Sequence, residues 1–309
     1  MFISHSPFRK EPPKSPASLD VGLWLVSCYP LPMLFCLNGL FKDETKAVVS
    51  VLDHGFLYAD GFYDTLRVYD GVLFELPLHL KRIADSAKAM EIPLPQGLPA
   101  IGNWFSETVK RNKLADARVR ITITRGAQGR DFSRGRHPTV VITCERLRAG
   151  KSLLQGHSAC TMRLERSLPA IKTLGLQNLI LAAKEAKKKG VQEVIGIDQR
   201  GFVREGVTSN VFVVRNGRLL TPKNRILRGL TRRLVLKLAR SLGIPVTIRD
   251  FKHSLIASSD EVFLTNRIRE IIPIISINGK KIGSGKVGPV TKRLKNAYQQ
   301  YVQSVIICD

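Results

Sequence analysis

Lys172 lies in Ile171-Lys172-Thr173-Leu174, just ahead of a stretch whose apolar residues recur at helical spacing. Downstream come a Glu-Gly turn, Glu205-Gly206-Val207-Thr208-Ser209-Asn210, and then Ile226-Leu227-Arg228-Gly229-Leu230-Thr231-Arg232, which reads as the opening of a helix. Each piece alone has an ordinary reading: a surface lysine, a solvated hairpin carboxylate, a plain helix cap. Together they offer an amine for an aldehyde, a carboxylate for a ring nitrogen, and free helix N–H groups for a phosphate. Those are the needs of pyridoxal phosphate. A lysine that attacks an aldehyde must be neutral, which takes partial burial or nearby positive charge, and Ile171 and Leu174 give Lys172 apolar neighbours. A buried Glu205 would hold a pyridine nitrogen protonated, and Gly206 lets the backbone pass close under a flat ring. Thr265-Asn266, at a strand end, could add a hydroxyl and an N–H to the same anion. Arg82, in His79-Leu80-Lys81-Arg82 at the start of a helix, could clamp that anion bidentately.

These residues need a scaffold, and the patterning outlines one. Residues 1–32 are rich in Pro, Ser and Lys or broken by Pro30 and Pro32, and are read as an N-terminal extension outside the fold. Their apolar run is too short and too interrupted for a membrane helix and makes a poor secretory signal. From Leu34 a strand leads into the Asn38-Gly39 turn, with its partner strand expected at Ala47–Val51. Phe62–Tyr69 alternates as a strand, and Asp70-Gly71 turns it back into Val72–Phe74. Helices are expected over Leu78–Met90 and Leu98–Asn112, then strands over Ala117–Arg125 and Thr139–Glu145. Arg148-Ala149-Gly150-Lys151 marks the exit from this smaller α+β domain, residues 33–148. The larger domain, 151–309, has strands near Ala159–Glu165, Glu193–Asp198, Val211–Arg215, Arg218–Leu220, Val246–Arg249 and Glu261–Thr265. Its helices span Asn178–Lys189, Gly229–Leu242 and roughly Val287–Val305, with Asn216-Gly217 and Asn278-Gly279 as turns. The class is therefore α/β: an α+β N-terminal domain followed by a mixed α/β C-terminal one.

A chain of 309 residues has room for two cores, and 44% hydrophobic content suits a soluble globular protein. Its 5 cysteines form no CxxC pair and no metal spacing with histidine, which points to reduced thiols in a cytoplasmic protein without a metal. The net charge of +24 is uneven: residues 151–309 hold 29 Lys and Arg against 10 Asp and Glu, and residues 33–150 hold 17 against 13. Such a field attracts polyanions, but no aromatic-interleaved stripe or finger motif turns attraction into specific nucleic-acid recognition. A basic surface on an enzyme with anionic ligands is the simpler reading.

With Asp53-His54-Gly55-Phe56-Leu57-Tyr58-Ala59-Asp60-Gly61 and Phe62-Tyr63-Asp64-Thr65-Leu66-Arg67-Val68-Tyr69 added, these motifs resemble the class IV, or fold-type IV, pyridoxal-phosphate enzymes. That family includes branched-chain aminotransferases, D-amino acid aminotransferases and aminodeoxychorismate lyases. The resemblance runs from about Leu34 to Val305. It implies a two-domain, D-amino acid aminotransferase-like fold that forms a homodimer, with the cofactor between the domains and a neighbour's loop near the substrate. It makes Lys172 the Schiff-base lysine and Glu205 the partner of the ring nitrogen, and puts Arg82, Leu230, Thr231 and Thr265 at the phosphate. Ser209 and Asn210 join the cofactor set from the turn that carries Glu205. The implied reaction is ping-pong transamination between a small amino acid and a 2-oxo acid.

For substrate choice, Tyr63 matches a tyrosine of the D-amino acid enzymes where branched-chain enzymes carry phenylalanine. Arg130, in Arg125-Gly126-Ala127-Gln128-Gly129-Arg130, resembles a carboxylate-binding arginine of the D-type loop, although Phe132 stands where that loop has histidine. Arg120 falls where branched-chain enzymes place an arginine, and Arg267 could favour a second carboxylate. Ala59 departs from the family's usual glycine. D-amino acid transamination is placed slightly ahead of the branched-chain L-type. The alternatives are a pyridoxal-phosphate lyase acting on aminodeoxychorismate and, more remotely, an inactive basic protein that binds nucleic acid.

Overall fold

The computed structural model describes residues 33–127, 137–147 and 155–308. Arg130, Phe132 and the expected exit at 148–151 lie outside these residues, as does the N-terminal extension.

The first half of the chain forms β1 (Leu34–Leu37), β2 (Leu40–Asp43), α1 (His54–Tyr58), β3 (Gly61–Tyr69), β4 (Val72–Leu73), α2 (Leu76–Ala89), α3 (Gly97–Arg111), β5 (Ala117–Thr124) and β6 (Thr139–Arg146). Its strands make one antiparallel sheet in the order β2-β1-β6-β5-β3-β4. Strand alternation sets its two faces. On β5, Ala117, Val119, Ile121 and Ile123 are fully buried against Ile83 of α2 and Ile101 and Phe105 of α3. The intervening Arg118, Arg120 and Thr122 point the other way and are only half-buried. β3 is covered on both faces: Phe62, Leu66 and Val68 join the helical side, while Tyr69 packs into the core of the second half. Tyr63 stands opposite Thr122 and so shares a face with Arg120.

The second half comprises β7 (His157–Arg163), α4 (Gln177–Lys188), β8 (Glu193–Ile197), β9 (Asn210–Arg215), β10 (Arg218–Thr221), α5 (Leu230–Ser241), β11 (Val246–Ile248), α6 (Ser254–Ala257), β12 (Glu261–Asn266), β13 (Glu270–Ile277), β14 (Lys280–Lys281) and α7 (Pro289–Cys308). Its mixed sheet runs β11-β10-β9-β12-β13-β7-β8, with β14 on β13. One face, with Val211, Val213, Val262, Leu264, Ile272 and Ile274, closes on a core of its own. The other, with Phe212, Val214 and Phe263, packs against α5 and α7. The halves join where Tyr69 and Phe74 enter that second core beside Tyr298.

The Asx-Gly turns form as expected, with positive φ at both residues of Asn38-Gly39, Asp70-Gly71, Asn216-Gly217 and Asn278-Gly279. Two strand expectations need correction. The partner of β1 is Leu40–Asp43, directly after the turn, and Val48, Val49 and Val51 are exposed in an irregular segment. β-branched residues fit a pleated, half-buried surface, and no sheet edge is offered to them there. β13 was not anticipated, because Pro273 argues against a central strand. β7 joins β13 only from Ile274, so Pro273 has no neighbouring strand on that side.

Candidate active site

Lys172 belongs by sequence to the second half but is moored to the first. Its carbonyl accepts the Tyr63 N–H at 2.9 Å, the Leu174 N–H donates to Gly61 O at 3.0 Å, and Thr173 bridges to Phe62. The segment thus adds a short rung to β3 and aims the Lys172 amine across the Tyr63 ring, with Nζ 4.7 Å from its centroid. Burial of the amine, helped by the Arg82 and Arg166 guanidinium groups and opposed by Tyr63 and Asp64, holds Lys172 below its ordinary value. This is the direction a nucleophilic amine requires. Burial alone would push the Tyr63 phenol up, yet the Lys172, Arg166 and Arg120 cations around it bring it below its ordinary value. Arg120 lies over the opposite side of this neighbourhood, its Cζ 3.9 Å from the Tyr63 centroid. It hydrogen-bonds Thr122 and has no acidic partner among the described residues.

Glu205 is buried. Its Oε1 accepts Arg166 Nε at 2.6 Å and its Oε2 accepts the Leu227 N–H at 3.1 Å, with Asn210 Nδ2 more distant at 3.5 Å. Burial pushes the Glu205 carboxyl above its ordinary value, while Arg166, the Leu227 N–H and Lys172 pull it back. Lys172 and Glu205 are therefore near enough for the charge of one to bear on the other.

Around Glu205 the chain closes into a cradle. Asn210 bridges to Glu205, pairs across the sheet with Thr265, and donates to Leu227 O at 2.8 Å, just ahead of α5. α5 begins at Leu230 with Gly229 as its cap residue and no side-chain cap, so the first N–H groups, of Leu230 and Thr231, are left for an external acceptor. A Cβ on Gly229 would come within 2.2 Å of Asn210 Oδ1, so glycine is needed for the helix to start this close to Asn210. Ser209 Oγ, Thr231 Oγ1 and Thr265 Oγ1 are buried and have no hydrogen-bond partner among the described residues. Three orphaned hydroxyls around an uncapped helix start fit a phosphate.

The sequence-predicted residues do not all sit as expected. Arg82 does not present its Nε edge to an anion: Asp64 takes Nε at 2.9 Å and Nη2 at 2.5 Å, leaving the Nη1–Nη2 end for any phosphate. Arg267 is turned inward. It pairs with Glu75 at 3.0 Å and lies over the Phe74 ring, with Cζ 4.9 Å from the centroid, which leaves little charge for a second substrate carboxylate. Lys172, Tyr63, Arg120, Glu205, Ser209, Asn210, Leu230, Thr231 and Thr265 converge as described above. Arg166 was missed, although a basic residue six positions before Lys172 in an otherwise apolar approach is a detectable signal. Asp64 and His79 were missed too. Asp64 is adjacent to Tyr63, and His79 Nδ1 lies 3.3 Å from Asp64 Oδ1, so the pair fixes Arg82 from behind.

Comparison with known proteins identifies the family. The family model for amino-transferase class IV matches residues 61–277. The chain is 38% identical over 275 residues to a putative branched-chain-amino-acid aminotransferase of Methanocaldococcus jannaschii, covering 86% of this chain and 96% of that one. It is 32% identical to a D-alanine aminotransferase of Staphylococcus haemolyticus, covering 87% and 97%. The branched-chain amino acid aminotransferase from Thermobaculum terrenum, solved in its PLP (holo) form, superposes with a TM-score of 0.79 at 26% identity, covering 88% and 94%. This chain belongs to the class IV aminotransferases and is a fold-type IV enzyme that depends on pyridoxal phosphate.

Proposed function

We propose that this aminotransferase moves the amino group of a small amino acid to a 2-oxo acid and prefers D-amino acids to branched-chain L-amino acids. The observation that carries the preference is the wall beside the Lys172 amine. A branched aliphatic side chain needs an apolar lining. The wall here is the Tyr63 phenol, with the Arg120 guanidinium stacked on its ring and Lys172 beside it. A polar wall suits a small or acidic side chain. The branched-chain relative is the more identical of the two, at 38% against 32%, over nearly equal spans, so the D-preference rests on the wall alone.

Bound pyridoxal phosphate supplies an aldehyde that exchanges amines and a cationic ring that draws electrons from the substrate Cα. Lys172 is the residue that holds the aldehyde. Its Nζ, when free, would accept the substrate Cα proton and return a proton in the opposite half-reaction. Glu205, itself fixed by Arg166 and Leu227, would pair with the ring nitrogen and keep that position protonated. The Leu230 and Thr231 N–H groups, the Ser209, Thr231 and Thr265 hydroxyls and the free end of Arg82 receive the phosphate. Asn210 ties Glu205 to the start of α5. Arg120, half-buried and without an acidic partner among the described residues, receives the substrate carboxylate. We assign Arg130 to the same carboxylate from its sequence motif. The working unit is a homodimer in the cytoplasm, and the exposed apolar run Val48, Val51, Leu52 and Phe56 is the surface we assign to the second copy.

Half-reactions test this directly. Purified holoenzyme is mixed singly with D- and L-alanine, D- and L-glutamate, L-leucine and aminodeoxychorismate, and loss of the cofactor's visible band is followed. D-alanine or D-glutamate should react fastest, and Lys172→Ala should lack both band and activity. Faster reaction with L-leucine would overturn the D-preference, and pyruvate release from aminodeoxychorismate would make the enzyme a lyase.

A further inference from the structure

We infer that a second, smaller recess, between the end of β9 and the segment joining β11 to α6, binds a compact phosphate-bearing anion. It encloses about 350 Å³ and is lined by Phe202, Arg215, Arg249, Asp250, Lys252 and Ser254, among others. None of these residues belongs to the cofactor cradle.

The charge balance in the recess is one-sided. Arg215 and Arg249 form no ion pair and no side-chain hydrogen bond among the described residues, although both line a concave surface. The single acid on the lining, Asp250, is saturated with hydrogen bonds, and it shares the Arg204 guanidinium with Asp198. Its Oδ1 accepts the Lys223 and Asn224 N–H groups, each at 3.0 Å, and its Oδ2 accepts Asn224 Nδ2 at 3.1 Å and pairs with Arg204 Nη1 at 3.1 Å. Its oxygens are thereby turned to the Lys223 and Asn224 groups and to Arg204, and the three lining cations outnumber it. Lys252 is held in place by a bond from Nζ to Arg200 O, and that Nζ lies 4.1 Å from the centroid of the Phe202 ring. Arg200 and Arg204 flank the same ring at 5.4 and 5.5 Å. The recess thus has three cationic side chains on its lining, Arg215, Arg249 and Lys252, against the one carboxylate of Asp250, together with the Ser254 hydroxyl.

Size and charge select the ligand. A volume of about 350 Å³ lies at the small end of small-molecule sites. Several cations gathered on one compact anion favour phosphoryl oxygens, which accept charge-assisted hydrogen bonds from more than one guanidinium at once. The basic face of α5, where Arg233, Lys237 and Arg240 are exposed in a row, contributes none of the residues that line this recess and serves as the control.

The test uses holoenzyme saturated with pyridoxal phosphate, so that the cradle at α5 is already filled. Inorganic pyrophosphate is titrated calorimetrically at low salt, with succinate as a dicarboxylate of similar size. One saturable site per chain is expected. Arg215→Ala with Arg249→Ala should weaken it about a hundredfold, about tenfold for each arginine. Both arginines are exposed, so an unchanged cofactor spectrum serves to show that the variant is folded. Arg233→Ala should leave pyrophosphate binding as it was. The assignment fails if the holoenzyme shows no saturable binding, if the double variant binds like the wild type, or if Arg233→Ala loses as much. Succinate binding as tightly as pyrophosphate would overturn the phosphate class.

Discussion

Replacing Arg166 by methionine isolates the contact on which the acid end of the cofactor site rests. Arg166 and Glu205 have side chains 8% and 9% exposed and meet at 2.6 Å, so solvent screens them little. Methionine keeps most of the apolar stem but removes the bond to Glu205 and the one from Nη2 to Val207 O at 3.1 Å. A carboxylate then stays buried with the Leu227 N–H as its one short donor. Breaking one side of a buried pair costs about 3–5 kcal/mol. At roughly 2–4 °C per kcal/mol for a chain of this size, the apoprotein should melt about 6–20 °C lower. The sign with pH follows from burial, which already raises the Glu205 carboxyl above its free value of 4.5. Removing Arg166 raises it further, so the unfolded state releases the Glu205 proton at lower pH than the folded state does. The deficit is then largest at neutral pH and shrinks as pH falls toward 4.5. Adding Glu205→Gln removes the stranded charge and should restore about half or more of the loss. Scanning calorimetry of the wild type, both single variants and the double variant closes the cycle. An Arg166→Met protein that melts within about 2 °C of wild type, or a double variant no more stable than the single, would refute the argument.

Other expectations follow from the same contacts. His79 is fully buried and, mainly through that burial, is held at about 4 against 6.5 for the free side chain. An unfolded chain takes up this proton below pH 6.5 and the folded one does not until about pH 4, so about 3 kcal/mol of stability is lost on acidifying across that window. His79→Gln should therefore narrow its melting-temperature gap from wild type as pH falls from 6.5 to 4, and a constant gap would count against the assignment. Gly229→Ala forces a Cβ to within 2.2 Å of Asn210 Oδ1, so it should lower stability by about 1–3 kcal/mol and weaken pyridoxal-phosphate binding to the apoprotein. Thr231→Val with Thr265→Val removes two orphaned hydroxyls. It should stabilise the apoprotein or leave it unchanged while weakening cofactor binding by about tenfold or more, read by fluorescence titration.

The reactive residues were legible because they fall in short, ordered motifs. Lys172 before a helix, Glu205 beside Gly206, and Gly229 opening α5 are each ordinary alone and point to one site only in their order along the chain. The hairpin turns were legible for the same reason, since Asx-Gly pairs meet the positive φ that such turns demand. What could not be read was pairing across distance. Nothing near Arg82 in sequence says that Asp64 will occupy two of its donors, and nothing near Arg267 names Glu75. Val48, Val49 and Val51 misled because strand propensity says nothing of whether a neighbouring edge exists, and β13 hid behind Pro273 for the converse reason.

The mooring of Lys172 on β3 divides the enzyme's labour in an unequal way. One sheet fixes where the amine stands, and the other fixes where acid and anion are received. The lysine is thus encoded with the second half but held in register by the first. Any shift of one sheet against the other would change the spacing between the Lys172 amine and the Glu205 carboxylate, so the shared packing of Tyr69, Phe74 and Tyr298 also guards the site's geometry.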